Sequence, residues 1–142
     1  MKKVVIIISA FLMISCGNSE KEISEDPSAL NAIDSKYKLL EIEGQDVSSE
    51  GFNLQFNGKE QRLSGKLGCN NFVATYKIQD SVIKFNPALG TKMYCEGLME
   101  YEDKFGEVLP EIRNVKIEDN DLTLLSGDNE ELLSLKKKMK SE

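Results

Sequence analysis

Residues 52–78 read FNLQFNGKEQRLSGKLGCNNFVATYKI, and their alternation decides the fold class. Phe52, Leu54 and Phe56 are separated by Asn53, Gln55 and Asn57, a period of two that puts the apolar side chains on one face of a half-buried strand. Asn57-Gly58 tolerates positive φ, so a tight hairpin turn is predicted there. Beyond it Leu63, Gly65 and Leu67 alternate with Arg62, Ser64 and Lys66. Phe72, Ala74, Tyr76 and Ile78 then share a face, with Val73, Thr75 and Lys77 on the other.

Outward from this stretch the same rhythm continues. Asp80-Ser81 turns the chain into a short strand over Val82 to Phe85, and further strands are predicted at Val115–Glu118, Leu122–Leu125 and Glu131–Lys136. Asp119-Asn120 and Ser126 to Asn129 supply the turns. One segment departs. Leu98, Tyr101, Phe105, Val108 and Ile112 recur at spacings of three and four, which predicts one helix over about residues 96 to 109, stopped by Pro110. The fold class is mainly β with one helix (α+β): seven or eight antiparallel strands forming a small barrel-like or strongly curved sheet, with the helix packed on one open side.

The amino terminus is of another kind. Lys2 and Lys3 precede an apolar run from Val4 to Ile14. Eleven residues fall short of the roughly 20 that span a bilayer, so the run reads as the core of a signal peptide. It ends Leu12-Met13-Ile14-Ser15-Cys16-Gly17, which resembles the lipobox of bacterial lipoproteins, with Met13 where Leu is commonest. The expectation is cleavage after residue 15 and lipidation of Cys16 by acyl chains such as palmitate; the plain alternative is an ordinary signal peptide with a chance cysteine. Gly17 in place of Asp favours the outer membrane. Residues 16–35 carry Glu20, Glu22, Glu25, Asp26 and Asp34 against Lys21, so an acidic flexible tether is predicted. The acidic cluster also resembles surface-export signals of the Bacteroidetes, which implies exposure on the cell surface. The domain is placed at residues 36–137 and a basic, solvated tail at 138–142.

Composition excludes whole classes of function. The chain carries a net charge of −6, and about −8 once Lys2 and Lys3 leave with the signal segment, which argues against a nucleic-acid partner. It has no histidine, which removes Ser-His and Cys-His nucleophilic sites and most mixed-ligand zinc sites. Glu96, Glu100 and Glu107 on the predicted helix read as surface solvation. No catalytic constellation and no cofactor motif is found, and the chain is read as a non-enzyme.

Two short signatures carry a family resemblance. Gly68-Cys69-Asn70 stands at a strand junction, and Thr91-Lys92-Met93-Tyr94-Cys95 precedes the helix. With the strand order and the closing Leu122-Thr123-Leu124 hairpin they resemble the META/HslJ-like domain over about residues 37 to 136. Tyr37 stands where the family usually has Trp, and Tyr94 where it often has Ala. The resemblance implies a small barrel-like β domain with one packed helix, often lipid-anchored or secreted, sometimes tied to heat-shock or envelope stress, and with no general enzymatic activity. Gly68 is expected to take a conformation a side chain would obstruct, and Asn70 to bond neighbouring backbone in a turn.

With Cys16 assigned to lipid, Cys69 and Cys95 remain as a pair in an oxidising compartment. A disulfide closing a loop of about 27 residues is worth about 3.5 kcal/mol on chain-entropy grounds. Two buried thiols, or a soft-metal pair assisted by Met93, stay open as alternatives. The functional expectation is a non-catalytic envelope lipoprotein that binds the membrane through its anchor and other envelope proteins through its domain. The alternative is a carrier, resembling secretion pilot proteins, that holds a lipid tail or apolar peptide inside the barrel. A packed interior at Phe52, Phe56, Phe72 and Phe85 favours the first reading.

Overall fold

The computed structural model describes residues 23–139. The signal segment, Cys16, the first part of the acidic tether and residues 140–142 lie outside the described residues. Among those described, no helix is long and apolar enough to cross a membrane.

Eleven strand segments follow one another: β1 (Ile23–Ser24), β2 (Asp34–Ile42), β3 (Gln45–Asp46), β4 (Asn53–Asn57), β5 (Arg62–Leu67), β6 (Asn70–Gln79), β7 (Val82–Phe85), β8 (Leu89–Gly90), β9 (Asn114–Glu118), β10 (Asp121–Leu125) and β11 (Glu131–Lys137). Helix α1 (Met99–Val108) comes between β8 and β9. The three two-residue segments β1, β3 and β8 account for the excess over the seven or eight strands predicted. All pairings are antiparallel, in the order β1-β9-β10-β11-β2-β4-β5-β6-β7, with β3 beside β2 and β8 beside β6.

The alternation read from residues 52–78 is the alternation of burial. Leu54, Phe56, Leu63, Leu67, Ala74 and Tyr76 face the core, whereas Arg62, Lys66 and Lys77 face water. Leu122, Leu124, Leu133 and Leu135 extend this face across the later strands. Tyr37, at the position where the family usually has Trp, is buried edge-on against Phe56 at 5.7 Å between ring centres. Register shifts at Leu124/Leu125 and Ser134/Leu135 strengthen the twist locally.

The sheet curves strongly but does not close, so the barrel half of the expectation is corrected. The strand order ends on β1 and β7, which do not pair, and beside β7 the chain places a 3-10 turn, Leu109–Glu111, with Leu109 and Ile112 fully buried. A single backbone bond, Ile83 N–H to the Arg113 carbonyl at 2.8 Å, ties β7 to the residue before β9. Helix α1 covers the open side. Ten residues form no stable helix alone; this one is held by Phe105 against Phe72 (4.8 Å) and Tyr101 against Phe52 (5.7 Å). It starts at Met99, not 96, because Cys95–Leu98 forms a separate turn, Leu98 N–H to the Cys95 carbonyl, with Gly97 at φ +75°.

Two further expectations change. The tether reading of residues 16–35 does not hold from Ile23 onward: Ile23 and Ser24 pair with Glu118 and Ile117, and Pro27–Ala32 forms a 3-10 turn with Pro27 and Leu30 buried. Asp26 caps that turn through Ser28 N–H at 2.9 Å, and the bond holds its carboxyl below the usual range. An acidic composition hid one apolar anchor, Leu30. The tight turn at Asn57-Gly58 is instead a four-residue loop, with positive φ at Gln61 (49°). Gly58 serves close approach: its N–H donates to the Ile33 carbonyl at 2.7 Å, and a Cβ there would strike the Leu30 and Asn31 carbonyls.

Candidate functional site

Both signatures meet at one place, the start of β6 against the loop leading into α1. Cys69 and Cys95 form a disulfide, with α-carbons 6.0 Å apart. The free-thiol alternative is thereby set aside for this structure. Gly68 makes the bend before Cys69 at φ +57°, and a Cβ there would stand 2.9 Å from Glu102 Oε1 and 3.1 Å from Leu98 Cβ. Its expected role holds.

Asn70 does more than its expected role. It is buried, and its partners lie far away in sequence. Its Nδ2 donates to the Met93 carbonyl at 2.8 Å and to Glu102 Oε2 at 2.7 Å. Its Oδ1 accepts from Met93 N–H at 2.7 Å and from Thr91 Oγ1 at 2.8 Å. One amide thus clamps residues 91–93 to β6 and ties both to α1, while the disulfide clamps the next turn. Thr91 also accepts from Asn71 N–H at 3.2 Å through Oγ1. What Met93 brings here is its backbone; the sulfur facing Cys95 is Met99 Sδ, which accepts from Cys95 N–H at 3.4 Å.

Glu102 was missed by sequence reading. A signal for it existed: it lies four residues after Leu98 and three before Phe105, on the apolar stripe of the helix, where a carboxylate needs a partner. Asn70 is that partner.

Beside the clamp lies an open cleft of about 490 Å3 between α1 and the β6/β8 edge. Its floor is Leu67, Phe72, Ala88 and Phe105, and Glu102, Asp103 and Glu107 make one rim acidic. Above it the chain from Leu89 to Tyr94 runs out into solvent. Leu89 is 73% and Tyr94 82% exposed, Met93 is also exposed, and Val73, the register partner of Leu89, shows more than a third of its surface. The side chains whose ionisation the fold displaces lie elsewhere. Burial pushes Tyr76 up to about 12 and raises Tyr37, and a bond from Ser48 N–H lowers Asp46.

Two solved structures share the fold. An NMR structure of a protein from Burkholderia xenovorans superposes with a TM-score of 0.61 at 17% identity, covering 82% of this chain and 92% of that one. A second NMR structure gives a TM-score of 0.56 at 25% identity, covering 72% of this chain and 87% of that one. No curated protein matches at a significant level. A family model described as META domain matches residues 29–139.

Proposed function

The chain belongs to the META domain family, and on that premise we propose that it is a membrane-anchored, non-catalytic interaction module of the bacterial envelope, held at the outer membrane through lipidated Cys16. The observation that carries this reading is the contrast between a filled interior and an apolar strip outside it. Phe52, Phe56 and Phe85 are packed core, and Phe72, half-buried on the floor of the cleft, is tilted against Phe105. Each is set against a further aromatic ring, Phe52 on Tyr101, Phe56 on Tyr37, Phe85 on Tyr76 and Phe72 on Phe105. The exposed apolar side chains are instead Leu89 of β8 and Met93 and Tyr94 of the loop that follows it, a loop fixed by a disulfide and a buried amide. A rigid apolar loop loses little conformational freedom when a partner covers it. Support for the non-catalytic part is chemical: the chain has no histidine, and Glu102 is engaged in holding Asn70. The family resemblance sets the expected context, envelope stress.

The test places a photo-crosslinking residue at Tyr94 of the full-length protein in its own envelope. The expected result is a discrete protein adduct, lost with Leu89→Ser and Met93→Ser together and absent when the crosslinker sits at Lys59. Adducts consisting of lipid would overturn the reading in favour of a carrier. Mass analysis of the same sample should find acyl chains, and Cys16→Ala should abolish them.

A further inference from the structure

Four heteroatoms converge at the disulfide in a pattern that a disulfide does not use. Cys95 Sγ is 3.6 Å from Glu102 Oε1 and 3.5 Å from the Met93 carbonyl oxygen. Cys69 Sγ is 3.8 Å from the same carbonyl oxygen. The two sulfurs and the carboxylate all lie within 4.8 Å of one another. A disulfide sulfur has no proton to donate, so these approaches yield no hydrogen bond in the oxidised protein. A tetrahedral zinc-class ion, with bonds of about 2.3 Å to sulfur and 2.0–2.2 Å to oxygen, sets its ligand atoms about 3.4–3.8 Å apart. Those three sulfur–oxygen distances fall at or near that range. The two sulfurs must separate, and Cys69 and Glu102, within 4.8 Å of each other, settle to the same spacing.

We propose that reduction of the Cys69–Cys95 disulfide creates a site for a thiophilic divalent cation of the zinc class, bound by both thiolates, the Glu102 carboxylate and the Met93 carbonyl. The reductant is a dithiol: it gives two electrons and two protons, becomes a disulfide itself, and leaves Cys69 and Cys95 as thiols. The cation then displaces both thiol protons to solvent as it binds. Two thiolates and one carboxylate suit a borderline-soft cation better than calcium or magnesium, which take oxygen ligands alone. The surrounding groups are those of a supported site. Asn70 Nδ2 donates to the Met93 carbonyl at 2.8 Å and to Glu102 Oε2, the carboxylate oxygen turned away from the sulfurs, at 2.7 Å, and so orients both groups before any ion arrives. Met99 Sδ fixes the Cys95 backbone at 3.4 Å. Cys69 is only partly buried, which leaves a path from solvent.

The experiment uses the purified full-length chain carrying Cys16→Ser, so that Cys69 and Cys95 are its only cysteines, oxidised or reduced with a water-soluble phosphine, titrated with cadmium and followed by thiolate-to-metal ultraviolet absorption, with zinc in competition. The reduced protein should take up one cadmium per chain and the oxidised protein none. Glu102→Gln should weaken binding tenfold or more, and Glu107→Gln on the same helix should not. Glu102→Cys, which offers a third thiolate from the same position, should bind more tightly and absorb more strongly. It also decides the question should Glu102→Gln fail to fold. Reduced protein that holds two free thiols and binds no cation would overturn the proposal. So would an affinity that neither Glu102 variant moves, since two thiolates alone would then account for it.

Discussion

Replacing Asn70 by Ala tests whether the family signature is a structural clamp. The side chain is 5% exposed and makes four bonds at 2.7–2.8 Å, to the Met93 carbonyl, the Met93 N–H, Thr91 Oγ1 and Glu102 Oε2. Neutral bonds contribute about 1 kcal/mol each and the bond to the carboxylate about 1.5–3 kcal/mol. Thr91 is exposed and Glu102 half-buried, so both regain water when Asn70 is gone. The expected loss is therefore about 2–4 kcal/mol, less than the gross sum. For a folded unit of about 115 residues, 1 kcal/mol moves the thermal midpoint by about 4 °C, which gives a fall of about 8–16 °C. Urea and thermal unfolding by circular dichroism measure it, with thiol counting to establish that the disulfide is intact. Asn70→Asp sharpens the test without changing shape. It replaces Nδ2 by an oxygen facing a carboxylate and a carbonyl, so its cost at pH 7 should match or exceed that of Ala. Part should return in acid, where the introduced Asp carboxyl takes a proton and can donate again. A loss below about 1 kcal/mol for Ala, or an Asp variant as stable as wild type at pH 7, would refute the clamp.

Cys69→Ser with Cys95→Ser, measured in chelator, should lower stability by about 3.5 kcal/mol, the loop-closure value for cysteines 26 residues apart. Wild type reduced under the same conditions should coincide with it. Gly68→Ala should cost about 2–3 kcal/mol in urea unfolding, combining the left-handed φ of +57° with crowding against Leu98 and Glu102; a neutral result would mean that the bend relaxes freely. Tyr76 titrates at about 12 when folded, above its unfolded value of 10, so the unfolded chain releases the proton first. Its contribution is full below pH 10 and falls as pH rises toward 12, by about 2–3 kcal/mol in all. Tyr76→Phe should flatten that fall, leaving the part due to Tyr37, which shifts in the same direction. Parallel pH curves for variant and wild type would contradict the assignment.

What the sequence by itself determined is what short-range pattern encodes. The period-two runs at Phe52–Phe56, Leu63–Leu67 and Phe72–Ile78 became strands with the anticipated faces inward, because one residue's offset would turn every apolar side chain to water. The stripe from Leu98 to Val108 became the helix for the same reason at the other period. The signatures around Cys69 and Cys95 identified the family from residues alone. Tertiary structure decided what depends on groups distant in the chain. Leu30 gains its burial from parts of the chain distant in sequence, the loop at Gly58 and Tyr76 among them, so composition assigned its segment to a tether. Asn70 offers the same four hydrogen-bonding sites in a local turn or across 32 residues to Glu102, and only packing of α1 on β6 chooses between them. Closure of the barrel was undecidable for the same reason. Alternation states which face is buried, whereas whether the end strands β1 and β7 meet depends on how the whole sheet curves.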